Sequence, residues 1–144
     1  AMDKWLGEGR WDVIHFNWGL HDLKRNPDGK HQVPIEEYEK NLRALVARLK
    51  TTGATLIWCA TTPVPEGNLN PPRRNADVIA YNAAAKKVMD ENGVEINDLY
   101  EFALPRLQEI QLPVNVHFSR PGSRALAGEV AQAIEEALAK RAAK

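Results

Sequence analysis

The stretch Ala54-Thr55-Leu56-Ile57-Trp58-Cys59-Ala60-Thr61 decides the fold class of this chain. Its residues are almost continuously apolar and do not alternate between apolar and polar. Such runs are typical of parallel strands, which are buried on both faces of their sheet. The segments on either side of this stretch alternate between strand and helix patterns, and this alternation predicts a layered α/β fold with a parallel sheet.

The predicted elements are bounded by turn residues and by the spacing of apolar side chains. In chain order they are a helix end at 3–7, a strand at 11–18, a polar loop at 19–34, a helix from Pro34 to Gly53, the strand at 54–61, a helix at 75–91, a short strand at 94–96, a helix from Asp98 that Pro105 limits or kinks, and a last helix that Ser119 and Pro121 begin. We expect one domain spanning residues 1–144.

Charge and cysteine content narrow the range of possible partners and sites. The formal net charge is +0, so neither nucleic acid nor a membrane surface is an expected partner. No apolar run approaches the ~20 residues that a membrane span needs, and no signal-peptide pattern is visible, which points to a cytoplasmic or truncated protein. Cys59 is the sole cysteine, which excludes an intrachain disulfide framework and a cysteine-rich metal site. No motif predicts a cofactor.

Two loops follow the first two predicted strands, at 18–22 and 61–67. In parallel α/β sheets, ligands bind outside the carboxyl ends of the strands. Gly19 allows a sharp turn and a close approach of the backbone to a ligand. A donor on His21, or a backbone N–H beside it, would stabilise a developing oxyanion. The alternative is a simple tight turn that Asp22 caps locally.

His117 lies in a loop directly before the last predicted helix. Imidazole titrates near ~6.5, which makes histidine the usual general base at neutral pH. The alternative is a surface histidine that bonds to a backbone group at the helix end.

The other histidines and the arginine pair are weaker candidates for a functional role. We expect His15 to pack in the core with one hydrogen bond, His31 to be solvated, and Arg73-Arg74 to be a solvated loop end. A metal site from His15, His21 and Asp22 matches no standard zinc spacing. Cys59, in the middle of a strand, is expected to behave as a buried small hydrophobe.

Hydroxyl nucleophiles are scarce in this chain. Its two serines, Ser119 and Ser123, flank the His117 loop, and Ser119 is interpreted as a helix cap. Thr61 and Thr62 are the remaining candidates and are weaker.

Two motifs together resemble the SGNH, or GDSL-type, hydrolases, a family of flavodoxin-like esterases, lipases and carbohydrate deacetylases. Gly19-Leu20-His21-Asp22 stands where that family has Gly-x-Asn-Asp at the end of a strand. The stretch Val114-Asn115-Val116-His117-Phe118-Ser119-Arg120-Pro121-Gly122 is similar to the family's Asp-x-x-His block, which is commonly followed by Phe-Thr-Pro-x-Gly. Thr61–Pro65, Tyr81-Asn82 and the stretch 94–99 add to the resemblance, which covers essentially the whole chain.

The chain departs from the family pattern at three places. His21 replaces the family's asparagine, and Val114 replaces the aspartate three residues before the histidine. Asp22, Asp98 and Asn115 are the candidates to orient His117 in its place. The family's first strand, which ends in Gly-Asp-Ser and carries the nucleophile, has no counterpart here. The resemblance therefore implies a flavodoxin-like fold that is truncated at its N-terminus.

The resemblance implies an ester hydrolase acting on small esters or acetylated sugars, with His117 as the base and Gly19, His21 and Asp22 on the oxyanion side. The serine would come from outside this chain. In the family the missing strand pairs with the one at 11–18, so we expect a second copy or a complementing chain to cover that edge. The alternatives are a non-enzymatic oligomeric binding or assembly module, and an unrelated doubly wound protein that binds a small ligand.

Overall fold

Three short parallel strands form the centre of the molecule in the computed structural model, which describes residues 2–143. The strands are β1 (Val13–Phe16), β2 (Thr55–Cys59) and β3 (Glu95–Asn97). They are ordered β1-β2-β3, with Ile14 opposite Leu56 and Trp58 opposite Ile96. The predicted α/β fold with a short parallel sheet is therefore confirmed.

Helices follow each strand, as the apolar spacing predicts. They are α1 (Met2–Leu6), α2 (Ile35–Lys50), α3 (Asn75–Asn92), α4 (Leu99–Ala103), α5 (Leu107–Ile110) and α6 (Arg120–Ala142). A 3₁₀ turn, Leu104–Arg106, separates α4 from α5. Pro105 lies in this turn, because it cannot donate the backbone hydrogen bond that a continuous helix would need.

The first strand is shorter than the sequence predicts. The interpretation of 11–18 as one strand is wrong at both ends, since β1 spans four residues. Before the strand, the Trp11 indole Nε1 donates to the carbonyl of Leu6, at 3.0 Å, and ties the chain back to α1. After it, the Asn17 amide donates to the carbonyl of Cys59, at 2.6 Å, and the backbone turns away from the sheet.

The main core lies between the sheet and the helices α2 and α3. Its members on the two helices share one apolar face each: Tyr38, Leu42, Val46 and Leu49 on α2, and Val78, Tyr81, Ala85 and Val88 on α3. Leu56 and Trp58 of β2 join this cluster. Helix α6 lies against all three strands. No helix between residues 2 and 143 is both long and apolar enough to cross a bilayer.

The outer edge of β1 borders an apolar groove of about 390 Å³. Trp5 and Trp11 line it and are 68% and 41% exposed, whereas Ile14 and Phe16 form its floor along the strand. Within residues 2–143, β1 pairs with a strand on one side only. We call this surface the β1 edge.

Candidate functional site

Three loops meet at the carboxyl end of the sheet. The loop after β1 approaches the loop after β2 so closely that a Cβ on Gly19 would lie 2.4 Å from Thr61 Oγ1. The loop that carries His117 packs on the same β2 loop, because Gln111 Nε2 donates to the carbonyl of Pro63 at 3.0 Å. The structure thus brings the loops predicted at 18–22 and 61–67 together with the segment that leads into the His117 loop.

Thr61 is held in place at the meeting point of these loops by hydrogen bonds from both its side chain and its backbone. Its side chain accepts a hydrogen bond from Asn17 Nδ2, at 3.1 Å. Its backbone N–H donates to Asn82 Oδ1 and its carbonyl accepts from Asn82 Nδ2, at 3.0 and 2.8 Å. Thr61 is 3% exposed, so its hydroxyl is held in the structure and is not presented to solvent as a nucleophile.

Arg73 secures the loop after β1. Its environment differs from the one that the sequence predicts. This arginine is buried, not solvated, and its Nε donates to the carbonyl of Leu20 at 2.9 Å. A second bond, from the backbone N–H of Arg25 to the carbonyl of Pro72, joins the same two segments. Burial lowers the pKa of the Arg73 guanidinium. Arg73 therefore clamps the loop that carries His21. The predicted solvated loop end is wrong for Arg73, whereas Arg74 is exposed as predicted.

His21 and Asp22 occupy different environments in this loop. His21 is exposed, whereas Asp22 is half-buried. Burial raises the pKa of the Asp22 carboxyl, and hydrogen bonds from nearby backbone N–H groups and the charge of His21 lower it by less. Beside them, the Tyr38 hydroxyl donates to the carbonyl of Trp18 at 2.7 Å. Asp22 is thus partly withdrawn from solvent in this turn, and His21 is the side chain open to a ligand.

His117 has a well-defined hydrogen-bond partner in Asn115. Asn115 Oδ1 lies 2.9 Å from the backbone nitrogen of His117 and 2.7 Å from its ring Nδ1. The backbone N–H can only donate, so the Asn115 atom that faces it is the carbonyl oxygen. The same oxygen then requires a proton on Nδ1, which leaves Nε2 with a free lone pair.

Of the three candidates to orient His117, Asn115 is the one that contacts it. Asp98 is used elsewhere, since its Oδ1 accepts from the backbone N–H of Glu101 at 3.1 Å and caps α4. Asp22 is half-buried in the loop after β1.

A short antiparallel contact positions the His117 loop. Gln111 pairs with Phe118, and the Leu112 N–H donates to the carbonyl of His117 at 3.0 Å. Ser119 then caps α6, accepting at 3.1 Å from the backbone N–H of Gly122. The prediction that Ser119 is a helix cap is confirmed.

Val114 has an unusual backbone conformation in this loop. Its φ of 49° lies in the left-handed region, which β-branched residues avoid. Its side chain is 55% exposed, and its Cγ1 lies 3.1 Å from the position that a Cβ on Gly67 would occupy.

Each of the remaining histidines lies close to a polar side chain of another element. His15 is half-buried with its Nε2 3.2 Å from Asn97 Nδ2, and burial lowers its pKa. His31 is partly buried with its Nε2 3.1 Å from Asp77 Oδ1, so its predicted solvation is wrong. Its ring also packs edge-on against Tyr81, which accounts for this burial.

Two further features of the described residues concern Cys59 and the side chains that could ligate a metal. Cys59 is buried as predicted, and burial raises the pKa of its thiol to about 12. Across residues 2–143, no group of three histidine, cysteine, aspartate or glutamate side chains is arranged to hold a metal ion.

Sequence reasoning missed Asn17 and gave Arg73 the wrong environment. Both act through distant backbone carbonyls, at Cys59 at the end of β2 and at Leu20 in the loop after β1. The signal for Asn17 was available, because an amide directly after a strand and two residues before Gly19 is placed to bond across the sheet edge. Arg73 gave no such signal in the sequence.

Comparisons with known proteins identify the family of this chain. A family model described as GDSL-like lipase/acylhydrolase matches residues 2–125. A GDSL esterase/lipase of Arabidopsis thaliana is 28% identical over 136 residues, which cover 83% of this chain and 56% of that protein. The chain therefore spans just over half the length of this curated relative.

Solved structures share the fold at low sequence identity. A lipase/acylhydrolase from Enterococcus faecalis superposes with a TM-score of 0.69 at 20% identity, covering 88% of this chain and 62% of that chain. An acetyl xylan esterase superposes with a TM-score of 0.72 at 19% identity, covering 85% and 67%. Because the family model matches most of its length, the chain belongs to the GDSL-like lipase/acylhydrolase family.

Proposed function

We propose that this chain supplies the general base and the oxyanion-side loop of an ester hydrolase, with His117 as the base. The observation that carries the proposal is the bond between His117 Nδ1 and Asn115 Oδ1, at 2.7 Å. It holds the ring in the tautomer whose Nε2 accepts a proton. A general base must have a free lone pair and a fixed orientation, and this pair supports both requirements.

The loop after β1 supports the oxyanion side of the proposal. Gly19 is held against Thr61, and Arg73 holds the carbonyl of Leu20, so the loop is rigid where His21 projects. Fixed donors stabilise a developing oxyanion better than mobile ones, because they need no reorganisation during the reaction. In this role His21 donates a ring N–H, and Asp22 stabilises the turn.

The nucleophile, in this proposal, comes from outside these 144 residues. Ser119 Oγ is committed to the cap of α6, and Thr61 is 3% exposed with its hydroxyl bonded to Asn17. Neither of these two hydroxyls is free to attack a substrate, and of the other two candidates Ser123 lies within α6 and Thr62 is half-buried after β2.

The β1 edge is where the missing strand would dock. A strand that pairs in parallel with Val13–Phe16 ends at the same side of the sheet as the Gly19 loop. A serine at its carboxyl end would then face the rim that carries His21. The edge strand, its free backbone groups and the apolar groove beside it support this docking.

Small esters or acetylated sugars are the proposed substrates. Two similar proteins, an esterase/lipase and an acetyl xylan esterase, support this class.

Turnover of p-nitrophenyl acetate tests whether the nucleophile lies outside this chain. We expect the 144-residue chain alone to release p-nitrophenol no faster than its His117→Ala variant. Strong activity that disappears in His117→Ala would mean that a nucleophile lies within the chain and would overturn this part of the proposal.

The base itself is tested by the ring tautomer of His117, read from ¹⁵N chemical shifts at a pH where the ring is neutral. We expect the Nδ1–H form in the wild type and a mixture in Asn115→Ala. Asn97→Ala is the matched control, because Asn97 contacts His15 and should leave the His117 signals unchanged. A wild-type ring protonated on Nε2 would remove the basis of the proposal.

The exposed β1 edge favours a second candidate, an assembly module without catalysis. Trp5 is 68% exposed beside this groove, as in surfaces that bind other chains. If the chain is such a module, we expect it to associate in solution, and we expect this association not to depend on the tautomer of His117.

A further inference from the structure

Gln111 joins the loop that carries His117 to the loop after β2. Its backbone lies opposite Phe118, the residue after His117, in the antiparallel contact described above. The next residue, Leu112, donates its backbone N–H to the carbonyl of His117 at 3.0 Å. A displacement of Gln111 would therefore move the backbone of His117 with it.

The side chain of Gln111 reaches in the other direction, to the β2 loop. It is 8% exposed, and its Nε2 donates to the carbonyl of Pro63 at 3.0 Å. Pro63 is itself held in place, because the adjacent Val64 N–H donates to Asn75 Oδ1 on α3 at 3.3 Å. Gln111 thus ties the His117 loop to an acceptor whose position is fixed by the rest of the fold.

The same bond links the two sides of the proposed site. The β2 loop contacts the loop after β1, where a Cβ on Gly19 would lie 2.4 Å from Thr61 Oγ1. A series of contacts therefore runs from Gly19 through the β2 loop to Gln111, and from Gln111 to the proposed base.

The amide of Gln111 adds little to the stability of the fold. Its Oε1 is buried and accepts no hydrogen bond within residues 2–143, which is unfavourable. The bond from Nε2 is favourable, since without it the Pro63 carbonyl loses a donor. These two contributions are of similar size and opposite sign, so an apolar side chain of the same length would serve folding about as well. What glutamine has and such a side chain lacks is the donor for Pro63.

We propose that Gln111 is a positioning residue for His117, whose side chain sets the position of the base relative to the β2 loop and hence to the Gly19 loop. A general base depends on such placement, because it must lie within about 2.6–3.2 Å of the group whose proton it takes. The catalytic meaning of this role rests on the proposed function, whereas the placement of the loop by Gln111 does not.

Gln111→Met tests the inference, because methionine has the same length and lacks both the donor and the unsatisfied oxygen. We expect the midpoint of urea unfolding to stay unchanged and NMR spectra to show a local change. Hydrogen exchange of the Leu112 N–H should become about tenfold faster, as expected when the contact loses the support of one hydrogen bond, and the His117 ring signals should shift. Gln108→Met, at an exposed glutamine of α5, is the matched control and should change none of these.

A general structural role for Gln111 gives a different result. In that case Gln111→Met would unfold at clearly lower urea concentration, or fail to fold, with signals changed throughout the chain, and the inference would be overturned. The wild type provides a test that needs no variant. Nuclear Overhauser contacts should connect the side-chain amide protons of Gln111 with Pro63, and their absence would also contradict the inference.

The outcomes separate this inference from the proposed function. If Gln111→Met leaves the signals of Leu112 and His117 unchanged, the positioning role is refuted even when the His117 tautomer is as expected. A wild-type His117 ring protonated on Nε2 removes the basis of the proposed function, but a local change in Gln111→Met would still support the placement of the loop by Gln111.

Discussion

At the residue scale, Val114 is the side chain least suited to its backbone. Left-handed φ values cost an L-residue about 1–2 kcal/mol, and asparagine bears this cost better than valine. The Val114 side chain is 55% exposed, so its replacement loses little burial. We expect Val114→Asn to raise the free energy of unfolding by about 1 kcal/mol, measured by urea denaturation.

Val114→Thr is the matched control for this prediction. Threonine is β-branched like valine and gains nothing at φ 49°, so the free energy of unfolding should change little. If both variants are destabilised equally, the contact of Val114 with Gly67 outweighs the backbone strain, and the prediction is wrong.

Sequence reasoning located His117 but left its partner open among three residues. Asn115 lies two positions away, and the bond depends on a local turn that a spacing rule does not describe. Asp98 and Asp22 have carboxylates that suit the role better by chemical type, but Asp98 caps α4 and Asp22 is half-buried in the loop after β1. The solvation predicted for His31 was wrong for a similar reason, because its partner Asp77 is distant along the chain and close in space.

At the scale of elements, the approach of Gly19 to Thr61 couples the ends of β1 and β2. A methyl group at Gly19 would lie 2.4 Å from Thr61 Oγ1, and Thr61 is held by Asn17 and Asn82. Since Thr61 cannot shift freely, Gly19→Ala should lower the free energy of unfolding by about 1–3 kcal/mol, the usual cost of overpacking. Thermal and urea unfolding monitored by circular dichroism measure this loss.

A double variant identifies the atoms responsible for the loss. In a Thr61→Ala background the oxygen is absent, so Gly19→Ala should cost less than in the wild type, whereas the part of the cost that comes from the φ of 156° at Gly19 should remain. Gly128→Ala, with open space around it in α6, should instead stabilise the protein by about 0.5–1 kcal/mol. Equal costs of Gly19→Ala in both backgrounds would show that the Thr61 hydroxyl is not the obstacle.

The elements themselves were well predicted because each is encoded locally. The face of α2 repeats at helical spacing, and Pro105 interrupts the helix that Asp98 begins. The ends of β1 could not be predicted in this way. They depend on bonds of Trp11 to α1 and of Asn17 to β2, which are contacts between elements.

At the scale of the whole molecule, the sheet is covered unevenly. Helices α2 and α3 enclose the main core with the sheet, and α6 lies against all three strands, but β1 is an outer strand beside an apolar groove. An edge of this kind pairs readily with another strand. With a formal net charge of +0, no long-range repulsion opposes the approach of a second copy.

We therefore expect the isolated chain to associate through the β1 edge, with a molar mass by light scattering that rises with concentration in the micromolar range. Trp5→Lys places a charge in the groove at little cost to folding, since Trp5 is 68% exposed. Trp5 would become buried when two chains associate. The loss of this burial, worth about 1.5–3 kcal/mol, should weaken association roughly 10- to 100-fold. Ile79→Lys, at an apolar residue that is 53% exposed on α3, should leave association unchanged. A wild-type chain that stays monomeric at these concentrations would count against a self-complementing edge, and equal effects of the two lysine variants would move the interface elsewhere.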